Sequence, residues 1–309
     1  MKKKKRKIWL WVLLSLVTVL LLSVGSVFAL IHSKINKMEK VKIDKSDLGI
    51  QKEHKKIYDS KKDIKNIALF GIDAEDGEAG RSDAIMIATI DGEHNKLKLT
   101  SIMRDSYVNI EGHGMDKINH AFAFGGAQLA VKTLNQNFGL NIENFLTVNF
   151  SSLPKIIDLL GGVDINITDE EAAFVDGIDG AGTYTLTGDQ ALTYSRIRYA
   201  AGGDYKRTER QRTVLEALFA KASSMPKSSA LNLTDALLPY VQTNMSATDI
   251  LSLGTSVLSA HSNGLEQLRF PLDGYSEGKM IDEVYYLTFD ADTTKKQIMD
   301  YIFEDKQPQ

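Results

Sequence analysis

Residues 8–31 form an uncharged, apolar run directly after the cationic stretch Lys2-Lys3-Lys4-Lys5-Arg6-Lys7. A helix crosses the hydrocarbon core of a bilayer with about 20 residues, so this run is long enough to span. It exceeds the ~7–15 residues of a cleavable signal's apolar region and reads as a retained anchor, although Val27-Phe28-Ala29 loosely matches a small-residue cleavage site. Flanking lysine and arginine stay on the cytoplasmic side. The expected layout is a cytoplasmic tail (1–7), a transmembrane helix (8–31), an extracellular polar stalk (32–64) and one extracellular domain (65–309).

Setting the six N-terminal cations aside moves the formal net charge from −3 to −9. The outer portion is therefore acidic, which argues against nucleic acid as a partner. The chain has no cysteine. That excludes disulfides, thiolate metal sites and cysteine nucleophiles, and suits a domain large enough to fold without staples.

Apolar patterning predicts strands at 66–71, 84–90 and 97–103, and later at 145–149, 163–167 and 267–271. Helices are predicted at 126–138, 153–160, 189–194, 207–222 and 247–259. This alternation implies an α/β fold, a three-layer α-β-α sandwich around a mixed central sheet, preceded by one transmembrane helix. Residues 231–309 carry no interpretable motif and are expected to complete the domain.

Against the acidic background, Arg196, Arg198, Arg207, Arg210 and Arg212 fall within nineteen residues. Guanidinium groups repel one another, so such crowding points to an anionic ligand, phosphate above all. In an extended segment Arg196 and Arg198 share a face. Helical spacing places Arg207, Arg210 and Gln211 on one side near a helix amino end, where free N–H groups also favour anions. Asp204 is placed to cap that helix or to clamp an arginine.

Two further clusters sit where strands are predicted to end. Asp73 and Asp83 bracket an acidic, glycine-containing loop beside Arg81. A carboxylate pair of this kind suits Mg²⁺ completed by water and phosphate oxygens, while the further acids Glu75, Asp76 and Glu78 point instead to calcium. Met103-Arg104-Asp105 terminates the 97–103 strand, at a position where sheet enzymes place working groups. A surface ion pair is the plainer account of Arg104-Asp105. Phe122, Phe124, Phe145, Leu146, Val148, Phe150, Leu153, Ile156 and Ile157 can line an apolar tunnel, although most such residues in any domain are ordinary core.

The ordered set Gly-x-Asp (71–73), Gly-Arg-Ser-Asp-Ala (80–84), Met-Arg-Asp (103–105), Lys-Ile-Asn-His-Ala (117–121), Leu-Gly-Gly-Val-Asp (160–164), Leu-Thr-Gly-Asp-Gln-Ala-Leu-x-Tyr (186–194), Arg-x-Arg (196–198) and Gly-Gly-Asp-x-x-Arg-x-x-Arg-Gln (202–211) resembles the LytR-CpsA-Psr family. The match covers about residues 65–225. Met103 stands where many relatives carry proline, which alters a turn preference without removing a working group.

The resemblance implies an Mg²⁺-dependent phosphotransferase, with Mn²⁺ as the alternative ion. It would move an anionic glycopolymer, teichoic acid or capsular polysaccharide, from an undecaprenyl-pyrophosphate carrier to peptidoglycan. It further implies Asp73 and Asp83 as metal carboxylates and Arg81, Arg104, Arg196, Arg198 and Arg207 as pyrophosphate ligands. Asp204 and Gln211 would support them, and Asp105 or a metal-side aspartate would accept the proton. Lys117 and Asn119 fall in a family motif without an assigned role. The alternatives are a polyprenyl-pyrophosphate pyrophosphatase using the same groups, and a non-enzymatic envelope regulator that binds anionic polymer.

Overall fold

The computed structural model describes residues 39–73, 80–149, 151–197, 203–224, 240–260 and 265–308. The expected span at 8–31 lies outside them. Among the described residues no helix is long and apolar enough to cross a membrane.

The chain first supplies β1 (Glu39–Lys40) and α1 (Lys55–Ser60), then the antiparallel run β2 (Ile64–Asp73), β3 (Arg81–Asp91) and β4 (Lys96–Ile102). A small hairpin of β5 (Tyr107–Ile110) and β6 (Gly114–Lys117) leads into helix α2 (His120–Phe138) and strand β7 (Asn144–Asn149). Next come α3 (Leu153–Leu159), β8 (Val163–Ile167), α4 (Asp169–Ala172), β9 (Gly182–Leu186) and α5 (Gly188–Arg196). The remainder is α6 (Gly203–Ser224), β10 (Val241–Thr243), α7 (Ala247–Ala260), β11 (Leu265–Phe270), the hairpin β12 (Ser276–Ile281) with β13 (Val284–Phe289), and α8 (Ala291–Phe303).

Seven strands join in the order β1-β10-β7-β2-β3-β4-β11. Pairs β1/β10, β2/β7 and β4/β11 are parallel, whereas β2/β3, β3/β4 and β7/β10 are antiparallel. The fold is thus mixed α/β with a mixed central sheet. The strand predicted at 163–167 forms, but it pairs with β9 in a separate ribbon rather than joining the sheet.

Both faces of the sheet are covered, which is why Ala84-Ile85-Met86-Ile87 is continuously apolar instead of alternating. On one face Ala68, Phe70, Ile85, Ile87 and Ile102 pack with Val131, Leu134 and Phe138 of α2 and Ile298, Tyr301 and Ile302 of α8. On the other, Ala84, Met86 and Leu99 pack with Leu153 and Ile157 of α3, Tyr194 of α5 and Val214 of α6. Further along that second face, Ile67, Ile90 and Leu97 meet Leu253 and Val257 of α7. Helix α2 begins at His120 rather than at the predicted position 126, and Gly126 instead marks a kink with φ of 58°. It ends at Gly139, whose φ of 65° is left-handed and where a Cβ would stand 2.7 Å from Met299 Sδ.

The expected stalk is, from Glu39 onward, part of the folded unit. Leu48 is 1% exposed, Asp44 N donates to Gln128 Oε1 at 2.7 Å, and Tyr58 Oη donates to Gly139 O at 2.9 Å. Leu48, Ile50, Ile57 and Tyr58, spaced among the lysines, supply the apolar surface that docks the segment on α2.

The C-terminal region completes the domain through β10, β11 and α8. Its clasp is Lys98, whose side chain has no exposed surface. Lys98 Nζ pairs with Asp91 Oδ2 at 3.0 Å and Asp305 Oδ1 at 2.9 Å, and donates to Tyr301 O at 2.8 Å. A buried ammonium is tolerable only when its donors are paired in this way.

Candidate active site

Strands β2, β4 and β7 run in one direction and β3 in the other, so the ends of the first three and the start of β3 gather at one edge. Asp73 and Arg81 are register partners across β2 and β3 at this edge. Beside them, Arg104 Nη1 donates to Asp83 Oδ2 at 2.8 Å, and Asn119 Nδ2 donates to Asp83 Oδ1 at 3.1 Å. Arg104 Nε lies 3.3 Å from Asp105 Oδ2, and Lys117 Nζ lies 2.8 Å from Asp105 Oδ1. The result is an alternating row, Asp83–Arg104–Asp105–Lys117, with each charge compensated by its neighbour.

The backbone holds this row in place. Asn119 N donates to Arg104 O at 3.2 Å, Ser82 N to Asn119 O at 3.3 Å and Ile118 N to Ser106 O at 2.9 Å. The Lys-Ile-Asn motif therefore ties the start of β3 to the turn after β4 and supplies a polar side chain on each side. These contacts assign Lys117 to Asp105 and Asn119 to Asp83, roles that the sequence left open.

Asp83 offers two hard oxygens oriented by donors, the usual arrangement of a ligating carboxylate and its supporting shell. Asn119 Oδ1 is buried with no hydrogen-bond donor among the described residues. This oxygen-only set fits a hard cation such as Mg²⁺. The side chain of Asp73, the other expected ligand, lies outside the described residues.

A second group arrives on helices α5 and α6. Thr187 and Gln190 form a capping box that starts α5, and Gly188 N donates to Asp158 Oδ1 at 2.7 Å. A Cβ at Gly188 would sit 2.1 Å from Pro154 O, so α5 and α3 touch here through backbone. The Leu-Thr-Gly-Asp-Gln-Ala-Leu-x-Tyr motif thus aims the end of α5. Tyr194 is buried, and burial followed by the Glu171 charge pushes its phenol up to about 12, so it stays neutral. Arg196 is the last residue of α5 and is exposed; Ile197 then turns extended with ψ of 121°. Arg196 is therefore helical, and Arg198 lies outside the described residues.

Helix α6 separates the clustered arginines by role. Arg210 Nε donates to Glu171 Oε1 at 2.7 Å, and its Nη1 to Ile197 O at 3.1 Å. Both partners are buried. Burial alone would raise the Glu171 carboxyl, but hydrogen bonds from Thr168 and Arg210 outweigh it and hold the group below its ordinary range. Arg210 is thus a fixed strut that anchors the residue just before Arg198. Arg207, one turn earlier, is 3% exposed and Gln211 is 5% exposed. Asp204 is the second residue of α6, so the helix starts before it rather than being capped by it; its side chain and that of Arg212 lie outside the described residues.

Gln211 lines an apolar cavity between α3, α5, α6 and the sheet, together with Leu69, Phe70, Gly71, Ala84, Leu146, Val148, Leu153, Ser195, Val214 and Val241. Its empty volume, mouth included, is about 720 Å³, within the range of ligand pockets. Ala84 adjoins Asp83 and Ser195 adjoins Arg196 in the chain, and Gly71 is two residues before Asp73, so the cavity lining is contiguous in the chain with the charged residues. Of the nine apolar residues proposed from sequence, Leu146, Val148 and Leu153 line it. Phe145, Ile156 and Ile157 are buried core, Phe122 packs on the core, Phe124 is exposed, and Phe150 lies outside the described residues. Leu69, Phe70, Val214 and Val241 were missed, although the period-2 pattern of β2 already placed Leu69 on a single face of the sheet.

The LytR_cpsA_psr family model matches residues 21–301. The chain belongs to that family. Polyisoprenyl-teichoic acid–peptidoglycan teichoic acid transferase TagU of Oceanobacillus iheyensis is 36% identical over 273 residues, covering 84% of each chain. Among solved structures, TagT bound to LIIa-WTA superposes with a TM-score of 0.66 at 29% identity, covering 78% of this chain and 91% of that one. The family protein YwtF (TagT) with bound octaprenyl pyrophosphate lipid gives 0.64 at 26% identity, covering 85% and 99%. The family resemblance drawn from the motifs is thus established. The motifs divide between residues that carry charge at the sheet edge and residues that build the frame around it.

Proposed function

We propose that this family member transfers an anionic glycopolymer of the teichoic acid class from a polyprenyl-pyrophosphate carrier to peptidoglycan, leaving a phosphodiester link. One observation carries the reading: the apolar cavity is lined by Ala84 and Ser195, the chain neighbours of Asp83 and Arg196, so an apolar space and a charged cluster lie side by side. A ligand with a long hydrocarbon and a diphosphate head matches that juxtaposition. The transferase names of the relatives and the octaprenyl pyrophosphate bound to a structural neighbour support it.

In this reading the isoprenoid lies along Leu69, Leu146, Leu153 and Val214. Arg104, Arg207 and the exposed Arg81 and Arg196 neutralise the pyrophosphate, with Arg198 of the same motif as a further guanidinium. Phosphoryl transfer demands mostly positioning and charge stabilisation, which fixed guanidiniums supply. Asp105 orients Arg104 and Lys117. Asp73 and Asp83 would hold Mg²⁺, which when bound adds positive charge beside the phosphate oxygens. An acceptor hydroxyl forms the new bond to phosphorus, its proton passes to a strand-end carboxylate, and polyprenyl phosphate leaves. The span at 8–31 would hold this sandwich domain at the outer membrane surface, beside its lipid donor.

The test is incubation of the full chain in detergent with a synthetic polyprenyl-pyrophosphate saccharide, peptidoglycan strands and Mg²⁺, with mass spectrometry of both products. Transfer yields saccharide phosphate on the glycan and free polyprenyl phosphate. Release of saccharide phosphate into water alone identifies a pyrophosphatase, and no turnover identifies a binding protein.

A further inference from the structure

The charged row continues outward from Lys117 into aromatic groups. Lys117 Nζ lies 5.7 Å from the centroid of the Tyr286 ring. Tyr286 meets Tyr107 with centroids 4.7 Å apart and planes tilted by 53°. Tyr286 Oη donates to Asp116 Oδ1 at 3.4 Å, and Asp116 Oδ2 lies 2.8 Å from His120 Nδ1. His120 meets the edge of Phe124 at 5.8 Å, and Phe124 is 45% exposed although it stacks on a neighbouring imidazole. A continuous path of ring faces and hydrogen-bonding groups therefore leads from Asp105 across β5, β6 and β13 to the first turn of α2.

Its position matters as much as its chemistry. The lipid cavity lies on the α3, α5 and α6 face of the sheet. Strands β5 and β6 and helix α2 belong to the opposite face, where Val108, Ile110, Ile118 and Ala121 join the other core. In-line displacement at phosphorus places the attacking and leaving oxygens on opposite sides. With the polyprenyl phosphate leaving toward the cavity, the acceptor enters from the side that carries this path.

We propose that Tyr286 and Tyr107, with Asp116, His120 and Phe124 beyond them, bind the acceptor glycan strand and present its hydroxyl to the charged row. The inference rests on the transferase reading and adds where its second substrate sits. Pyranose rings stack their C–H faces on aromatic rings, and their hydroxyls pair with carboxylate and imidazole groups; rigid tyrosines provide such contact at low entropic cost. The acceptor hydroxyl oxygen forms the new P–O bond, and the bond from phosphorus to the polyprenyl phosphate oxygen breaks. The proton passes to a strand-end carboxylate.

The experiment uses the detergent-solubilised full chain, a synthetic polyprenyl-pyrophosphate saccharide and soluble, uncross-linked peptidoglycan strands. Tyr286→Ala raises the acceptor KM about tenfold, the size expected of one central aromatic contact, and leaves the donor KM within about twofold of wild type. Tyr286→Phe retains the ring but loses the hydrogen bond to Asp116, and recovers most of the acceptor KM lost in Tyr286→Ala. Phe124→Ala, at an exposed position that does not threaten folding, raises the acceptor KM about threefold. Calorimetric binding of the same strands without donor falls in the same order. Normal acceptor KM and strand binding in both alanine variants overturns the inference while leaving the transferase reading intact. A wild-type chain that gives no glycan product contradicts the transferase reading, and strand binding by the variants then decides the surface alone.

Discussion

Arg104 is bound to Asp83 at 2.8 Å and reaches Asp105 at 3.3 Å, so one guanidinium bridges the carboxylates of two strand ends. Its removal leaves Asp83 and Asp105 without the cation between them, at the place proposed to bind the diphosphate. Arg104→Ala lowers kcat for transfer by about 100- to 1000-fold, the range seen when one preorganised charge donor is lost. Arg104→Lys recovers only part of this, because an ammonium cannot serve both carboxylates as a planar fork does. Single-turnover rates for both variants check the claim.

Arg210 and Glu171 are a buried pair with side chains 4% and 11% exposed. Arg210→Met leaves the Glu171 carboxylate without its partner and costs about 3–5 kcal/mol of stability. The Glu171 carboxyl is held below its ordinary 4.5 in the folded state. The pair's contribution is therefore fully present above that value and is lost as pH falls below it. Thermal melts of wild type and Glu171→Gln diverge at pH 7 and converge as the pH is lowered below about 4.5.

How much of this was legible in the sequence depends on what each pattern encodes. Strands β2, β3 and β4 were visible because apolar β-branched residues recur there with turn signals between them. The hairpins β5/β6 and β12/β13 were not, being short ribbons whose residues are largely polar or half-exposed. Lys98 in an alternating strand reads as a solvated residue; only the fold brings Asp91 and Asp305 to it. Segment 39–60 looked like a spacer because its apolar residues are interspersed with lysines and acids and show no clean helical or strand period. The arginine cluster pointed to an anionic ligand, but helical spacing gives a face and not a partner. Nothing local told Arg210, bound to Glu171, from Arg207. Residues that bridge elements, such as Lys117, Asn119 and Tyr286, needed the topology.

Lys98 offers a test of the frame apart from the chemistry. Lys98→Met removes the cation from between Asp91 and Asp305, leaving Asp91 charged in the interior. Thermal or denaturant unfolding shows a loss of about 3–5 kcal/mol. The specific transfer rate of the folded fraction is unchanged, because this clasp sits at the end of the sheet away from Asp83.

The cavity is tested by filling it. Leu146 is partly exposed and lines the cavity from β7. Leu146→Trp raises the donor KM about tenfold for a long polyprenyl carrier and leaves it nearly unchanged for a carrier of one or two isoprene units. The ratio between the two donors, measured in parallel, separates obstruction of the hydrocarbon path from general damage.

The central claim is that one ligand occupies the apolar cavity and the charged strand ends together. The most direct measurement is a crystal structure of this protein with a polyprenyl pyrophosphate and Mg²⁺. The account predicts isoprenoid density along Leu69, Leu146 and Val214, with the diphosphate between Asp83, Arg104 and Arg207. Lipid bound elsewhere, or a head group directed away from Arg104 with the cavity empty, would contradict it.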